Sequence, residues 1–355
     1  MSDERQESKH KYPNRPQLVA PVCIDESGRC GPTTGHARGP GWRRSSRGLY
    51  VPSPVDGESA DQRIVEAAAV LPEYGGVTGW AALSWLGGRW FTGTGWGGVR
   101  TLPVWLATGG SDIRPQPGIA VSAERLNPRD LIEHDGLAIT TAVRSVCFEM
   151  RYAPAMRLAV VSLDMAAYDD LVSTDEEQAY ANLHSGWTGI PQCREAVPLA
   201  DENSWSPREI MMRLVWTEDA GLPRPLCNAP VFDLRGGHLG TPDLFDPVAG
   251  VVGEYDGALH LQGARRSRDV VREERFRSHG LEYVTMLGGD VRDPGPFIRR
   301  LLGAYDRAAA IPGSRRSWTL EQPDWWVDTS TVALRRALSE DERSIWLRHR
   351  VARAV

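Results

Sequence analysis

Asp243, Glu254 and Asp256 are the residues whose types and spacing could do chemistry. They lie in TPDLFDPVAGVVGEYDGALH, residues 241–260, with Asp243 at the end of one apolar run and Glu254 and Asp256 in the next. Between them, Asp246-Pro247-Val248-Ala249-Gly250 combines a turn-opening Asp, a Pro at the following position and a closing Gly. The spacing predicts a β-hairpin with strands at about Leu239–Phe245 and Val251–Tyr255, and places Asp243 across from Gly253 or Glu254. Strand side chains alternate faces, so Glu254 and Asp256 share one, with Cα atoms about 6–7 Å apart. Like charges about 4 Å apart repel by about 4 kcal/mol at an effective dielectric near 20. Protonation of one carboxyl relieves the crowding, and so does a divalent cation among the oxygens. Mg²⁺ or Mn²⁺ there would suit phosphoryl chemistry, because such an ion clamps a phosphodiester and activates a water. A turn role for Asp243 and Asp246, with Glu254 and Asp256 solvated at a sheet edge, accounts for the same spacing without an ion.

The elements that must position these acids are legible on either side. Ser206-Pro207-Arg208-Glu209 opens a helix with Ser at the N-cap, Pro at N1 and Glu at N3, which is the pattern of a capping box. Ile210, Met211, Leu214 and Val215 form its apolar stripe and Gly221 ends it. Glu209 is also a further candidate acid near a metal, although capping explains it fully. A strand over Val231–Leu234 precedes the hairpin. After it come a helix over Arg265–His279 closed by Gly280, a strand over Leu281–Leu287 and a helix over Pro296–Ala310. That order predicts an α+β core with a partly antiparallel sheet. The Arg265–His279 helix holds six arginines, of which Arg265, Arg266, Arg268 and Arg272 stand nearest the acids, against Asp269, Glu273 and Glu274. A nucleic-acid backbone would need such countercharge; ion pairs three or four residues apart on an exposed helix have the same composition.

The pattern PD-x(10)-E-x-D-G-x-x-H, at Pro242-Asp243, Glu254, Asp256 and His260, resembles the PD-(D/E)xK nuclease superfamily, and most nearly its branch similar to very-short-patch-repair (Vsr) endonucleases. The resemblance covers about Trp205 to Asp306. It implies a restriction-endonuclease-like core, a mixed sheet flanked by helices, with Asp243, Glu254 and Asp256 holding Mg²⁺ or Mn²⁺ and DNA as substrate. Asp256 stands where the superfamily usually has lysine, and the only lysines of the chain are Lys9 and Lys11. Vsr-like enzymes also lack that lysine and use a histidine, so the resemblance gives His260 the role of general base or phosphate-positioning group.

The rest of the chain sets limits. Its 355 residues suffice for two domains, and a formal charge of −5 excludes a globally basic nucleic-acid binder, so any DNA contact is a local patch. Five scattered cysteines offer no paired CxxC and read as reduced thiols of a cytoplasmic protein. The opening residues lack an apolar signal core, and no run of 18 apolar residues could span a membrane. Residues 1–17 are expected to be a disordered leader, 18–200 a mixed α/β regulatory or DNA-binding domain, 201–310 the nuclease-like domain and 311–355 a helical appendage rich in tryptophan. Five arginines between Ser27 and Pro54, among them Arg43 and Arg44, read as a loop that could contact phosphates. RRSSRGLYVP, a helix over Ala60–Leu71 and VTGWAALSWLGG resemble the N-terminal part of AbiEi-type antitoxin-like proteins, which implies a winged-helix-like unit. Short strands follow at Leu102–Ala107, Ile119–Ser122 and Leu137–Thr141, then helices at Ala142–Arg151 and Ala155–Tyr168, where Arg144 and Asp164 could pair.

The expectation is a metal-dependent DNA endonuclease. Its rival is a non-catalytic DNA-binding or antitoxin-like regulator on a degenerate nuclease fold, and a third option is a protein-interaction module using the tail. Oligomeric state and DNA target are left open.

Overall fold

The computed structural model describes residues 11–96, 98–257 and 264–352, with backbone alone at 264–269 and 351–352. It is a mixed α+β chain of two compact units, Met1–Tyr152 and Ala153–Val355. The expected division at 200/201 does not coincide with this one. The helices α4 (Met156–Tyr168), α5 (Thr174–Leu183) and α6 (Ile190–Ala196) go with the C-terminal half. One reason is a buried ion pair: Arg213 reaches Asp164 of α4 at 2.5 Å, and so the Arg144–Asp164 pairing expected from sequence does not form. Arg144 instead binds Glu124 at 2.7 Å.

In the first unit, β1 (Trp42–Ser46) and β2 (Leu49–Pro52) make an antiparallel hairpin; the residues of β2 read from sequence as a short strand, and those of β1 as the loop leading into it. A five-stranded mixed sheet follows in the order β5-β4-β3-β7-β6, from β3 (Gly76–Thr78), β4 (Val104–Ala107), β5 (Ile119–Ser122), β6 (Leu131–His134) and β7 (Leu137–Thr140). Helices α1 (Ala60–Ala68), α2 (Trp80–Trp85) and α3 (Ala142–Tyr152) accompany it. β3 escapes sequence patterning because it is three residues long and buried on both faces. The leader is tied down from residue 12 onward: Tyr12 packs edge-on against Trp85, and Arg15 lies 3.9 Å over the Trp85 ring while binding Asp135 at 2.6 Å. Residues 1–10, the rest of the expected disordered leader, lie outside the described residues.

The second unit places a four-stranded sheet between two helical faces. Its strands β8 (Leu226–Cys227), β11 (Leu244–Asp246), β12 (Val251–Asp256) and β13 (Glu282–Leu287) run in the order β13-β12-β11-β8. β9 (Val231–Asp233) and β10 (His238–Gly240) instead form a separate small sheet with β14 (Trp318–Thr319). The expected strand Leu239–Phe245 is thus split in two. Pro242 lies between the pieces and cannot donate to a ladder. β11 runs antiparallel to β12, and β12 parallel to β13. The parallel pair is joined over one face by α8 (Ala264–Ser278), as a parallel connection requires.

Leu244, Val251, Val284 and Met286 pack on one side with Met212 of α7 (Pro207–Leu214), Trp216 and α9 (Gly295–Ala309). Phe245 and Val252 face the other side, with Phe276 of α8, Val231 and Leu239. Trp216 sits in a π-helical turn, Val215–Asp219, that continues α7. Its ring lies over Gly253, where a Cβ would come within 2.9 Å of it. The turn between β11 and β12 is built as its residues suggest: the Asp246 carboxylate accepts from Val248 N at 2.9 Å and Ala249 N at 3.0 Å, and Gly250 closes it at φ +76°.

The tail, expected to be a helical appendage, has no long helix among its described residues. It holds three short ones, α10 (Val332–Arg336), α11 (Glu340–Trp346) and α12 (Arg348–Ala352). Arg335, fully buried, binds Asp170 and the Ala167 carbonyl, each at 2.6 Å, and Arg350 binds the Tyr168 carbonyl at 2.6 Å. Cations here complement the C-terminal end of α4.

Candidate active site

Three of the predicted acids come to the same face of the sheet. Residues Leu244 and Gly253 are opposed across β11 and β12, so one step further Asp243 opposes Glu254, with Cα atoms about 5 Å apart for such a pair. Alternation from Phe245 and Val252, which pack against α8, puts Asp243, Glu254 and Asp256 on the α8 face. The β11–β12 pairing ends at Leu244 and Gly253, and beyond it the Asp243 carboxylate accepts the Tyr255 N–H at 2.8 Å. Asp243 is 6% exposed and Glu254 half-buried, whereas Asp256 is exposed at the strand end. Among the described residues the three do not close into a trio whose ligand oxygens all lie within 4.8 Å of one another. The close relation is the Asp243–Glu254 opposition.

Arg272 of α8 enters this face. Its guanidinium pairs with Glu254 Oε1 at 2.8 Å and also donates to the Thr241 carbonyl. It was expected to serve a DNA backbone; in the structure it neutralises an acid of the site. The remaining potential is still felt by Tyr283, which shares this face: burial first, then Glu254 and, more weakly, Asp243 push its hydroxyl well above the usual range, with Arg272 opposing them.

His260 and the side chains of Arg265, Arg266 and Arg268 lie outside the described residues. Glu209 lies in the first turn of α7, but its carboxylate is engaged elsewhere. It accepts from Trp205 N at 2.9 Å, Ser206 Oγ at 3.0 Å and Asn228 Nδ2 at 2.9 Å. The expected capping box is altered, because Glu209 reaches the N–H one residue before the N-cap rather than that of Ser206 itself. Arg43 is likewise committed within the first unit: it holds Glu66 through both guanidinium nitrogens, at 2.9 Å through Nη1, and is a structural ion pair rather than a phosphate contact. Arg44 is exposed and donates to the Ser46 carbonyl at 3.0 Å.

Sequence patterning missed a cleft of about 1580 Å³ in the second unit. Trp205, Trp325, Trp326 and Trp346 line it, together with Arg272 and Arg275. Its only sequence signal was the density of tryptophan in residues 318–346. Compared with known proteins, the chain matches no family model, no curated protein and no solved structure. No helix among the described residues is long and apolar enough to cross a membrane.

Proposed function

We propose that the second unit is a divalent-metal-dependent DNA endonuclease of the PD-(D/E)xK type, acting in the cytoplasm. The observation that carries this reading is the opposition of Asp243 and Glu254 on the α8 face, beside a parallel strand pair with a helical crossover. Oxygen donors from two carboxylates suit a hard cation such as Mg²⁺ or Mn²⁺. The fit is supported by Arg272, since a positive group already settles at Glu254 and marks where charge compensation is needed. A bound divalent ion would supply Lewis acidity toward a phosphodiester and lower the pKa of a water.

The chain's own groups have distinct parts. Asp243 and Glu254 hold the ion. The Tyr255 N–H donates to the Asp243 carboxylate and fixes it in place. Asp256, exposed at the strand end, orients water or substrate, and His260 would accept or position a proton as the family resemblance implies. Arg272, which pairs with Glu254 and donates to the Thr241 carbonyl, would offer countercharge to a phosphate. The test is nicking of supercoiled plasmid with Mg²⁺ or Mn²⁺ by the full chain. Activity in the wild type and its loss in both Asp243→Ala and Glu254→Ala are expected; undiminished activity in those two variants would remove the site.

The Arg272–Glu254 pair also favours a second reading, a DNA-binding regulator in which the arginine permanently replaces the metal. That protein binds DNA in a salt-sensitive way, never nicks it, and is indifferent to added metal.

A further inference from the structure

The cleft of the second unit adjoins the acids at Arg272, which lines it and also binds Glu254. At about 1580 Å³ it exceeds the roughly 300–1,000 Å³ of a pocket for a single small ligand, so its occupant is extended. One wall is aromatic. Trp326 packs edge-on with Trp325 at 5.6 Å and with Trp346 at 5.4 Å between ring centroids, and lies 4.9 Å from His238. Trp325 is 54% exposed, so part of its ring is open to a stacking partner.

The rim nearest the acids is cationic. Arg275 is exposed there beside Arg272, and His238 titrates below its ordinary value because of burial and then these two arginines. The lining also holds the acids Asp175, Asp201, Glu202 and Asp328, of which Asp201, Glu202 and Asp328 accept from internal backbone N–H groups. Glu202 caps Thr174 N and Val332 N at 2.8 and 2.6 Å, and Asp201 accepts from Asn203 N at 2.9 Å. The cleft therefore offers π-faces along its wall and countercharge at its mouth, which is the pairing that a single nucleic-acid strand recognises.

We propose that this cleft binds a single strand of DNA, its bases stacking on the tryptophan wall and its phosphates meeting Arg272 and Arg275, so that the strand is led to Asp243 and Glu254. This deepens the nuclease reading by naming single-stranded DNA as the form held by the protein, and rests on it only for the direction of the lead. Base stacking tolerates any sequence, since every base has a π-face. The tail, which supplies Trp325, Trp326 and Trp346, thereby becomes part of the binding site rather than an appendage.

The experiment is fluorescence polarisation of a fluorescein-labelled oligothymidylate with the full chain in EDTA, where cleavage cannot occur. Saturable binding is expected, tighter than for a duplex of equal length, with quenching of tryptophan emission. Trp325→Ala and Arg275→Ala each weaken it about tenfold or more, and Trp325→Phe restores most of it. Both sites are exposed, and circular dichroism checks that each variant folds. Absent binding, a preference for duplex, or affinity unmoved by both substitutions overturns the proposal. Binding without plasmid nicking sinks the nuclease reading and leaves the cleft assignment standing; nicking without oligothymidylate binding does the reverse.

Discussion

Replacing Asp243 by Asn rather than Ala separates its two parts. The carboxylate accepts the Tyr255 N–H at 2.8 Å in a 94% buried position, its exposure being 6%. Alanine leaves that donor without this acceptor, a loss of about 1–3 kcal/mol. Asparagine keeps an oxygen for the bond and removes a charge facing Glu254. On one face of paired strands the two charges repel, by about 3 kcal/mol were they about 5 Å apart at an effective dielectric near 20, before Arg272 offsets part of it. In EDTA the order of stability is therefore Asp243→Asn at or above wild type, and Asp243→Ala below it. With Mn²⁺ at 100 times its dissociation constant, wild type gains about 2.7 kcal/mol from binding to the native state. For a unit of this size each kcal/mol moves Tm by about 2–4 °C, so the rise is about 5–10 °C. Thermal unfolding with and without metal reads this directly, and Asp243→Asn shows no rise. Retention of the metal-dependent rise in Asp243→Asn, or its absence from wild type, refutes metal ligation by Asp243. Equal stability of the Ala and Asn variants in EDTA refutes its hold on Tyr255.

Arg272→Met removes the cation at Glu254; metal titration then moves to roughly five- to thirtyfold lower concentration, the equivalent of about 1–2 kcal/mol for a partly buried pair, and an unmoved midpoint contradicts the competition. Gly253→Ala sets a methyl 2.9 Å from the Trp216 ring and costs about 1–3 kcal/mol in urea unfolding, with no loss expected from the same substitution at exposed Gly289. In the first unit, Glu124 is buried against the grain of its charge, yet Arg151, Tyr152 and Arg144 bring its pKa below the ordinary value. Its folded pKa is depressed, so its contribution is present above the unfolded pKa near 4.5 and is lost as pH falls through the folded one. Glu124→Gln lowers stability at pH 7 by about 3 kcal/mol, since Arg144 and Arg151 lose this partner in a buried setting, and flattens the acid limb of the pH–stability curve.

Elements with strong local signals were legible in the sequence. Ile119–Ser122 is recovered residue for residue, and the helices at Met156–Tyr168 and Ala264–Ser278 lie within a residue of their expected ends because apolar spacing and a closing Gly280 specify them. The hairpin turn follows from Asp246 and Gly250. What local patterning could not yield depends on distant partners. Whether Arg272 meets Glu254 or a phosphate is decided by where α8 crosses the sheet, not by its own sequence. Arg43 reads as a mobile basic residue until Glu66, 23 positions away, closes on it. The split of Leu239–Phe245 between two sheets has a local cause in Pro242, yet the partner of the first piece is β9, which no short-range signal names. The cleft is of the same kind, since three of its tryptophans, Trp325, Trp326 and Trp346, come from a tail that carries no motif.

Asn228 joins the acids to that cleft and gives Glu209 its place. It is 2% exposed, lines the cleft and holds a left-handed backbone at φ +45°, a conformation that costs a non-glycine residue about 1–3 kcal/mol unless its surroundings over-determine it. Its N–H donates to the Asp243 carbonyl at 3.0 Å, and its side-chain amide donates to the Asn203 carbonyl at 2.8 Å and to Glu209 Oε2 at 2.9 Å. Both acceptors require nitrogen at that position, so the amide oxygen is the atom left without a hydrogen-bond partner. Glu209 is therefore a positioning residue: its charge anchors Asn228, and Asn228 anchors the strand that carries Asp243. Asparagine tolerates this left-handed backbone better than an apolar residue, and only glycine would hold the turn with less strain, without the side-chain bonds to Asn203 and Glu209. Its geometry is accounted for if the spacing between the cleft and Asp243 must be held rigid, as a strand led from one to the other requires.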